Sequence, residues 1–351
     1  MGEIDLKINL KKGKTKELNK LLFHPSFHKT VDELGKLGLV LPPTQQNISL
    51  QLEAYKFPEN GELRVDQLEI KEITLSAHDG QSMLKNFTIA AYDESVNRYD
   101  ALEGSAYLTS HSLVLLGIED FVPLNFLTLY FYTRSESFAA KYPHMKHCQD
   151  PEVESKRDYV NDKIEFLQEN APPNSLLFID GPLIGGNLTS YTLKVIDSLL
   201  AKGIIPVFFV KNSTSSLVRD NIEKIRSAYN SDLHWAFKFL KAGQRTNFIP
   251  YVDKYNPKNA KMFCYLKAHN VSPQRIEFDK KTYKKYEAVL PKIMDLVYYL
   301  LLVQGDKKNP QIRPIAIAEK FARETIHLLD LSSIMMNTGL TPTMNQERFA
   351  W

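Results

Sequence analysis

The chain has 351 residues, 43% of them hydrophobic, and a formal net charge of +3 at pH 7. This hydrophobic content is enough for a full core, and the two cysteines, Cys148 and Cys264, stand outside any Cys/His cluster, which excludes zinc fingers and a disulfide scaffold. Apolar runs fall short of the roughly 20 residues of a membrane span, and the first residues lack the apolar segment of a signal peptide, so we expect a soluble, cytoplasmic protein without membrane contact.

In chain order, residues 1–45 are predicted as a basic, helical start, and residues 46–85 as half-buried strands because their apolar residues alternate with polar ones. Three or four further strands follow in close order, as in an antiparallel meander. These strands are predicted at residues 87–91, 105–117 and 127–133.

The second half of the sequence alternates helices and strands. A helix over residues 156–170 precedes a buried strand, a helix and a second buried strand, an order typical of a parallel β-α-β unit. Those three elements are predicted at residues 176–179, 191–202 and 204–210. The remaining elements are two helices (216–229 and 233–241), a strand pair (262–268 and 274–278) and two more helices (283–304 and 314–331).

This order of elements predicts an α/β fold, in which helices flank a mixed sheet and both ends of the chain are elaborated. We assign the main domain to residues 86–335. Residues 1–85 form an N-terminal extension that is a candidate dimer or partner contact, and residues 336–351 form an irregular tail.

Two aspartates stand at the ends of apolar strands: Asp93 follows FTIAAY and Asp180 follows LLFI. A carboxylate at a buried strand end is held rigidly and faces the crevice beyond the sheet edge. Two such carboxylates on adjacent strands repel each other unless a cation lies between them, and Mg²⁺ and Mn²⁺ prefer carboxylate oxygens. The pair therefore predicts a divalent-metal site, and the alternative is that each aspartate is an ordinary turn residue.

The helix before Asp180 carries further acids. Asp158, Asp162 and Glu165 are spaced i, i+4 and i+7, which places their side chains on one helical face. Lysine and arginine residues are interspersed among them. The face therefore either approaches the predicted metal site or meets water as a solvated charged surface.

A glycine-rich loop offers a competing interpretation. The segment from Gly181 to Gly186 has the composition of a phosphate-binding loop, which would indicate a small-molecule α/β enzyme. Its spacing fits neither the dinucleotide-binding GxGxxG pattern nor the Walker A pattern. Pro182 also lacks the backbone N–H that such a loop uses, which argues against this interpretation.

Taken in order, these segments resemble the NurA nucleases, partners of the HerA hexameric ATPase in processing DNA ends, over roughly residues 85 to 330. The family's first motif is a strand ending in Asp-Gly-Ser, whose Asp is a metal ligand. Here Asp93 takes that place, and Glu94 replaces the glycine. The second element is a helical acid, best matched by Asp162, 18 residues before Asp180, with the other two acids of that face as alternatives.

The closest match to a family motif is Asp180-Gly181-Pro182-Leu183, which follows four apolar residues. The next strand and turn, which contain Lys211, also resemble the family, as do the segments between residues 231 and 277. The last family motif is Tyr-Pro-x-Pro-Leu-x-x-Ala-His. In the matching residues 311–319, Gln311 replaces the Tyr and Glu319 replaces the His, and a Glu can bind the metal in place of the His.

The resemblance implies a ribonuclease H-like core that hydrolyses DNA phosphodiesters with Mn²⁺ or Mg²⁺. The implied metal ligands are Asp93, Asp162, Asp180 and Glu319, and the candidate DNA contacts are Lys211, Arg219, Arg245 and Arg275. Because Arg275 shares a strand face with Glu277, it is either a structural residue or a DNA contact. The family expectation is single-strand endonuclease and 5′–3′ exonuclease activity in end resection, by a homodimer docked on a HerA-like ATPase. The departures at Glu94, Gln311 and Glu319 leave one alternative, a catalytically impaired structural or regulatory subunit of a DNA-translocating ATPase.

Overall fold

The structure, a computed structural model, describes residues 70–116, 121–183, 189–211, 215–221, 223–253, 259–308 and 310–343, together with short stretches between residues 29 and 69. Packing divides the chain into two compact units, Met1–Gln46 and Asn47–Trp351. The helical start predicted for residues 1–45 lies outside the described residues, apart from helical positions at 29–30 and 32–33. The predicted tail lies outside them beyond residue 343.

Strands and helices alternate along the second unit. The strands are Gln51–Leu52 (β1), Tyr55–Lys56 (β2), Gly61–Leu63 (β3), Leu68–Glu69 (β4), Glu72–Thr74 (β5), Thr88–Ala101 (β6), Gly104–Leu116 (β7), Phe121–Thr133 (β8), Met145–His147 (β9), Ser175–Asp180 (β10), Ile205–Val210 (β11), Gln244–Thr246 (β12), Ile249–Asp253 (β13), Ala260–Lys267 (β14) and Gln274–Asp279 (β15). The helices are Ala77–Met83 (α1), Glu136–Lys141 (α2), Pro151–Asn170 (α3), Thr189–Ala201 (α4), Glu223–Ala228 (α5), Asp232–Phe239 (α6), Lys280–Tyr286 (α7), Leu290–Gln304 (α8), Arg313–His327 (α9) and Leu331–Asn337 (α10). Within the described part of the chain, no helix is both long enough and apolar enough to cross a bilayer.

One mixed sheet, of thirteen strands among the described residues, runs through the unit. At its centre the strands lie in the order β8-β7-β6-β10-β11. β7 is antiparallel to both of its neighbours, while β10 is parallel to β6 and to β11. This order and these directions are those of a ribonuclease H-like sheet. The predicted fold class is therefore confirmed, with the antiparallel meander and the parallel β10-α4-β11 unit in place.

Helices cover both faces of the central strands. Along β10, Leu176 and Phe178 belong to the core that includes α8 and α9, whereas Leu177 and Ile179 belong to the core that includes α3 and α4. Burial on both faces explains why β10 and β11 are continuous apolar runs rather than alternating ones. Because side chains alternate between the faces, the side of the sheet that a residue occupies at the strand end follows from its position.

The sheet continues beyond β11 through β15, β14 and β13 to β3 and β2, and β12 joins β14 to β5. β2, β3 and β5 come from the segment predicted as half-buried strands. That segment therefore contributes strands to the same sheet as the central core, through antiparallel pairing of β3 with β13 and of β5 with β12. The domain division at residues 85 and 86 stays a prediction.

The helix predicted at 156–170 begins earlier, at Pro151, and the one predicted at 314–331 ends at His327, before α10. Two other helices differ from their predicted bounds for local reasons. The helix predicted at 283–304 is two helices, α7 and α8, and Pro291 lies in the first turn of α8, where a missing N–H has no cost. The helix predicted at 216–229 is a short 3₁₀ turn, Arg219–Asn221, followed by α5. Its first turn is lost because the N–H groups of Val218 and Arg219 donate to the side chain of Asp232.

Candidate active site

Strand register and alternation bring two aspartates together on one face of the sheet. Ile179 of β10 is paired with Tyr92 of β6, so the residues that follow them, Asp180 and Asp93, lie side by side on parallel strands. Two positions earlier, Phe178 and Ala91 both belong to the core that α8 and α9 cover. Alternation therefore directs both carboxylates to the side of α9, the helix that carries Glu319.

Three carboxylates converge at this edge. One oxygen from each of Asp93, Asp180 and Glu319 lies within 4.8 Å of the other two, and all three residues are half-buried. Lys211, one residue beyond β11, extends to the same face. Its Nζ lies 2.5 Å from Asp180 Oδ2 and 2.9 Å from Glu319 Oε2. A residue predicted as a DNA contact is thus placed among the carboxylates.

The electrostatics of the cluster favour a bound cation or proton. Burial, followed by repulsion from Asp180 and Glu94, raises the pKa of Asp93 from 3.8 to about 7. Burial also raises the pKa of Asp180, in spite of its contact with Lys211. Burial acts in the same direction on Glu319, but hydrogen bonds from Gln311 and Lys211 hold the pKa of Glu319 below its ordinary value. A divalent cation would relieve this repulsion.

The donor set fits a hard divalent cation. All three converging groups are carboxylates, and oxygen donors are those that Mg²⁺ and Mn²⁺ prefer, whereas zinc sites usually contain Cys or His. Glu319 is oriented by two further contacts, from Gln311 Nε2 at 3.1 Å and from Arg323 Nη2 at 2.6 Å. The two residues that depart from the family's last motif, Gln311 and Glu319, therefore contact each other.

Asp162 does not join these carboxylates. It lies on α3, which covers the opposite face of the sheet, and its Oδ1 accepts a hydrogen bond of 3.0 Å from the Tyr130 hydroxyl of β8. Asp158, one turn earlier, accepts from Tyr132 and Lys146, and Glu165 is exposed. The structure does not bring the acids of this helical face to the three carboxylates: Asp158 and Asp162 contact β8 and β9, and Glu165 faces water, so a helical metal ligand stays a prediction.

Glu94, which replaces the family's glycine, also lies on the α3 side of the sheet. Its carboxylate accepts hydrogen bonds from Tyr159 and from Lys163, whose Nζ lies 3.3 Å away. Glu94 nevertheless contributes to the raised pKa of Asp93. The helix thus presents a hydroxyl and an ammonium group toward Glu94 on the α3 side of the sheet, opposite the three carboxylates.

The three predicted arginine contacts to DNA have structural roles instead. Arg245 and Arg275 are 3% and 4% exposed, on strands inside the sheet. Arg245 donates to the Thr246 carbonyl, and Arg275 donates to Glu277 at 2.7 Å. The Arg219 side chain donates hydrogen bonds to the Tyr229 carbonyl and to the Asp220 carboxylate. These bonds stabilise the turn that contains Arg219. The structure thus places Arg245 and Arg275 inside the protein, away from a surface where DNA could lie, and their role as DNA contacts stays a prediction.

A cavity of about 530 Å³ opens beside the carboxylates. Asp180 and Glu319 line it together with Lys211, Lys308 and Gln311. A larger cavity of about 680 Å³ lies between the far ends of β6–β8 and the start of α3, and none of the three carboxylates lines it. Of these two cavities, the smaller one lies beside the converging acids. Its two lysines are donors for an anionic ligand.

Three comparisons bear on this arrangement. The family model described as NurA domain matches residues 79–324. Comparison with curated protein sequences gave no match. Among solved structures, the NurA nuclease from Sulfolobus solfataricus aligns over 90% of this chain and 98% of its own, at 10% identity and a TM-score of 0.49. Endonuclease V from Bacillus subtilis aligns over 73% of this chain and 84% of its own, at 10% identity and a TM-score of 0.36.

Proposed function

Because the chain belongs to the NurA family, whose domain model matches residues 79–324, we propose that it is a divalent-metal-dependent nuclease that hydrolyses DNA phosphodiester bonds. The observation that carries the proposal is the convergence of Asp93, Asp180 and Glu319 within 4.8 Å. Clustered carboxylates of this kind hold Mn²⁺ or Mg²⁺, and such an ion, when bound, supplies an activated water and neutralises charge on the phosphate.

Other features of the structure fix the position and the protonation state of the proposed ligands. Asp93 and Asp180 are fixed by two buried parallel strands, and Glu319 approaches from α9, so the three ligands hold their geometry without substrate. Asp93, whose pKa is raised to about 7, would have to give up its proton to hold a cation, because a ligating carboxylate must be ionised. Gln311 and Arg323 fix the orientation of the Glu319 carboxylate.

We propose Lys211 and Lys308 as contacts to the DNA backbone. Both line the cavity beside Asp180 and Glu319, where an ammonium donor within reach of the scissile phosphate stabilises its negative charge. They replace Arg245 and Arg275, which are buried. In the metal-free protein, Lys211 neutralises Asp180 and Glu319. With a cation bound between those carboxylates, Lys211 would instead contact the phosphate.

The Lys211→Met variant is expected to bind Mn²⁺ about tenfold more tightly and yet to cleave DNA at least about tenfold more slowly. The ammonium group contacts the same carboxylate oxygens that a cation needs, so its removal frees those oxygens. The same change deletes a donor to the phosphate. Calorimetric titration with Mn²⁺ and a steady-state cleavage assay give the two values.

The matched control is Lys308→Met, because Lys308 lines the same cavity but makes no ion pair with Asp180 or Glu319 among the described contacts. It is expected to slow cleavage and to leave Mn²⁺ affinity unchanged. Equal Mn²⁺ affinity in Lys211→Met and the unaltered protein would count against the role assigned to Lys211.

The activity itself is tested with purified protein and single-stranded DNA. Cleavage in Mn²⁺ that stops on addition of EDTA and returns with excess Mn²⁺ supports a metal-dependent nuclease. Circular single-stranded DNA and 5′-end-labelled linear DNA separate the endonuclease from the proposed 5′–3′ exonuclease activity. DNA binding without cleavage in any divalent metal, even with the ATPase present, would favour the alternative of a regulatory subunit.

We further propose that the protein acts in the cytoplasm as a homodimer docked on a HerA-like hexameric ATPase during DNA end resection. The support is the family resemblance and the presence of a separate compact unit, Met1–Gln46, ahead of the family domain. Light scattering of the full chain, and cleavage measured with and without such an ATPase and ATP, test this assembly. A monomeric mass with no stimulation would remove the assembly proposal and leave the nuclease proposal standing.

A further inference from the structure

Three charged side chains are buried together beneath the turn that follows β10. Glu277 of β15 is fully buried, and its Oε1 accepts from Lys261 Nζ at 2.6 Å and from Arg275 Nε at 2.7 Å. Its other oxygen, Oε2, accepts the backbone N–H of Leu183 at 2.8 Å. A buried ion cluster of this kind often adds little net stability, because desolvating the charges costs about as much as their attraction returns.

The Leu183 contact reaches the turn that carries a metal ligand. Gly181, at φ +102°, adopts a backbone conformation that favours glycine, and its N–H donates to the Phe209 carbonyl of β11 at 2.7 Å. Pro182 has no N–H to offer. The turn that begins at Asp180 is therefore held by two backbone bonds, one to the neighbouring strand and one to the Glu277 carboxylate.

Arg275 extends the same cluster to the segment beyond Lys211. Its guanidinium bonds to the Ser215 hydroxyl. Nearby, the fully buried Asp232 accepts the N–H groups of Val218 and Arg219, the latter at 2.7 Å, and attraction between Arg275 and Asp232 links the two clusters. The turn after Asp180 and the segment from Ser215 to Arg219 are thus both held by buried charges on β15 and α6.

We infer that Glu277 is a positioning residue for the metal site. Through Leu183 it sets the direction in which Asp180 leaves β10, and with Arg275 it sets that turn relative to the segment that begins at Ser215. The inference rests on the proposed function and deepens it. Burial opposes ionisation of Glu277, but Lys261 and Arg275 hold the pKa of Glu277 below its ordinary value, so the acceptor for Leu183 stays charged.

The test is Mn²⁺ affinity by calorimetry in Glu277→Gln, with the thermal midpoint and far-ultraviolet circular dichroism measured on the same samples. Removing a residue that orients a metal ligand typically lowers metal affinity by about 10- to 100-fold, and we expect a loss in that range while the protein remains folded. Glu277→Asp keeps the charge but shortens the side chain, and we expect it to fold and to lose Mn²⁺ affinity as well.

Leu108→Ala is the matched control for destabilisation alone. Leu108 is buried in a separate core at the far end of β7, beside α10. It is expected to lower the thermal midpoint without changing Mn²⁺ affinity. Mn²⁺ affinity within twofold of the unaltered protein in folded Glu277→Asp, or an equal loss of affinity in Leu108→Ala, would overturn the inference.

Asp180→Asn belongs in the same titration, because it tests the proposed metal site separately from the positioning role of Glu277. If the unaltered protein fails to bind Mn²⁺, or if Asp180→Asn binds it equally well, the proposed metal site is wrong. If those two proteins differ as expected while both Glu277 variants bind like the unaltered protein, only the positioning role fails.

Discussion

Asp180→Asn is expected to lower Mn²⁺-dependent cleavage of single-stranded DNA by about a thousandfold or more. Asp180 is the proposed metal ligand at the end of β10, and one oxygen each of Asp93 and Glu319 lies within 4.8 Å of it. The amide of asparagine retains the shape of the side chain while removing the charge. Metal-assisted stabilisation of a phosphoryl transition state contributes several kcal/mol, and about 4 kcal/mol corresponds to a thousandfold change in rate. Cleavage rates at saturating Mn²⁺ measure the effect.

The matched control is Asp162→Asn, which removes an acid from the opposite side of the sheet. Asp162 accepts a hydrogen bond from Tyr130 and lies apart from the three carboxylates. The cleavage rate of Asp162→Asn is therefore expected to stay within about threefold of that of the unaltered protein, because the proposed metal ligands are unchanged. The two variants together test whether the metal site consists of Asp93, Asp180 and Glu319 alone or also includes Asp162, as the family resemblance predicts. A loss in folded Asp162→Asn as large as that in Asp180→Asn would restore the helical ligand.

The second large effect is on stability. The pKa of Asp93 is raised from 3.8 to about 7, so the folded protein binds this proton more tightly than the unfolded chain does. The contribution of Asp93 is therefore most favourable below pH 4 and is lost as the pH rises to about 7. Since each pKa unit corresponds to about 1.4 kcal/mol, ionised Asp93 lowers the free energy of unfolding at pH 8 by about 4 kcal/mol relative to its value below pH 4, and roughly 2.7 kcal/mol of this loss falls between pH 5 and pH 8.

Urea unfolding in EDTA at pH 5 and pH 8 measures this dependence. The metal-free protein is expected to be less stable at pH 8, and Asp93→Asn is expected to restore most of the difference, because an amide has no charge to desolvate. Saturating Mn²⁺ is expected to stabilise the unaltered protein at pH 8 by mass action and to stabilise Asp93→Asn far less. Equal stability of the two proteins at pH 8 in EDTA would contradict the assigned electrostatics.

The sequence predicts part of this site because two of its ligands follow from strand pattern. Asp93 and Asp180 each end a buried apolar run, and parallel neighbours bring such ends to one edge. Alternation from Phe209 would also have placed Lys211 on that face. Glu319 had no such signal: its position depends on how α9 packs across the sheet, and only the family resemblance pointed to it.

The predicted site residues that the structure places away from the three carboxylates depended on tertiary placement. The spacing of Asp158, Asp162 and Glu165 fixes one helical face, but which side of the sheet α3 covers decides where that face points. Arg245 and Arg275 were assigned to DNA because basic side chains can contact its phosphate backbone. A local signal existed for Arg275, since Glu277 lies two residues away on the same strand face and can pair with it; nothing comparable marks Arg245.

The most direct measurement is the anomalous difference density of a crystal soaked in Mn²⁺. The proposed function predicts a peak among Asp93, Asp180 and Glu319, within about 2.5 Å of a carboxylate oxygen of each, with Lys211 Nζ withdrawn from Asp180 and Glu319. No peak between these residues at a Mn²⁺ concentration that supports cleavage, or a peak bound only elsewhere in the chain, would contradict the proposed metal centre.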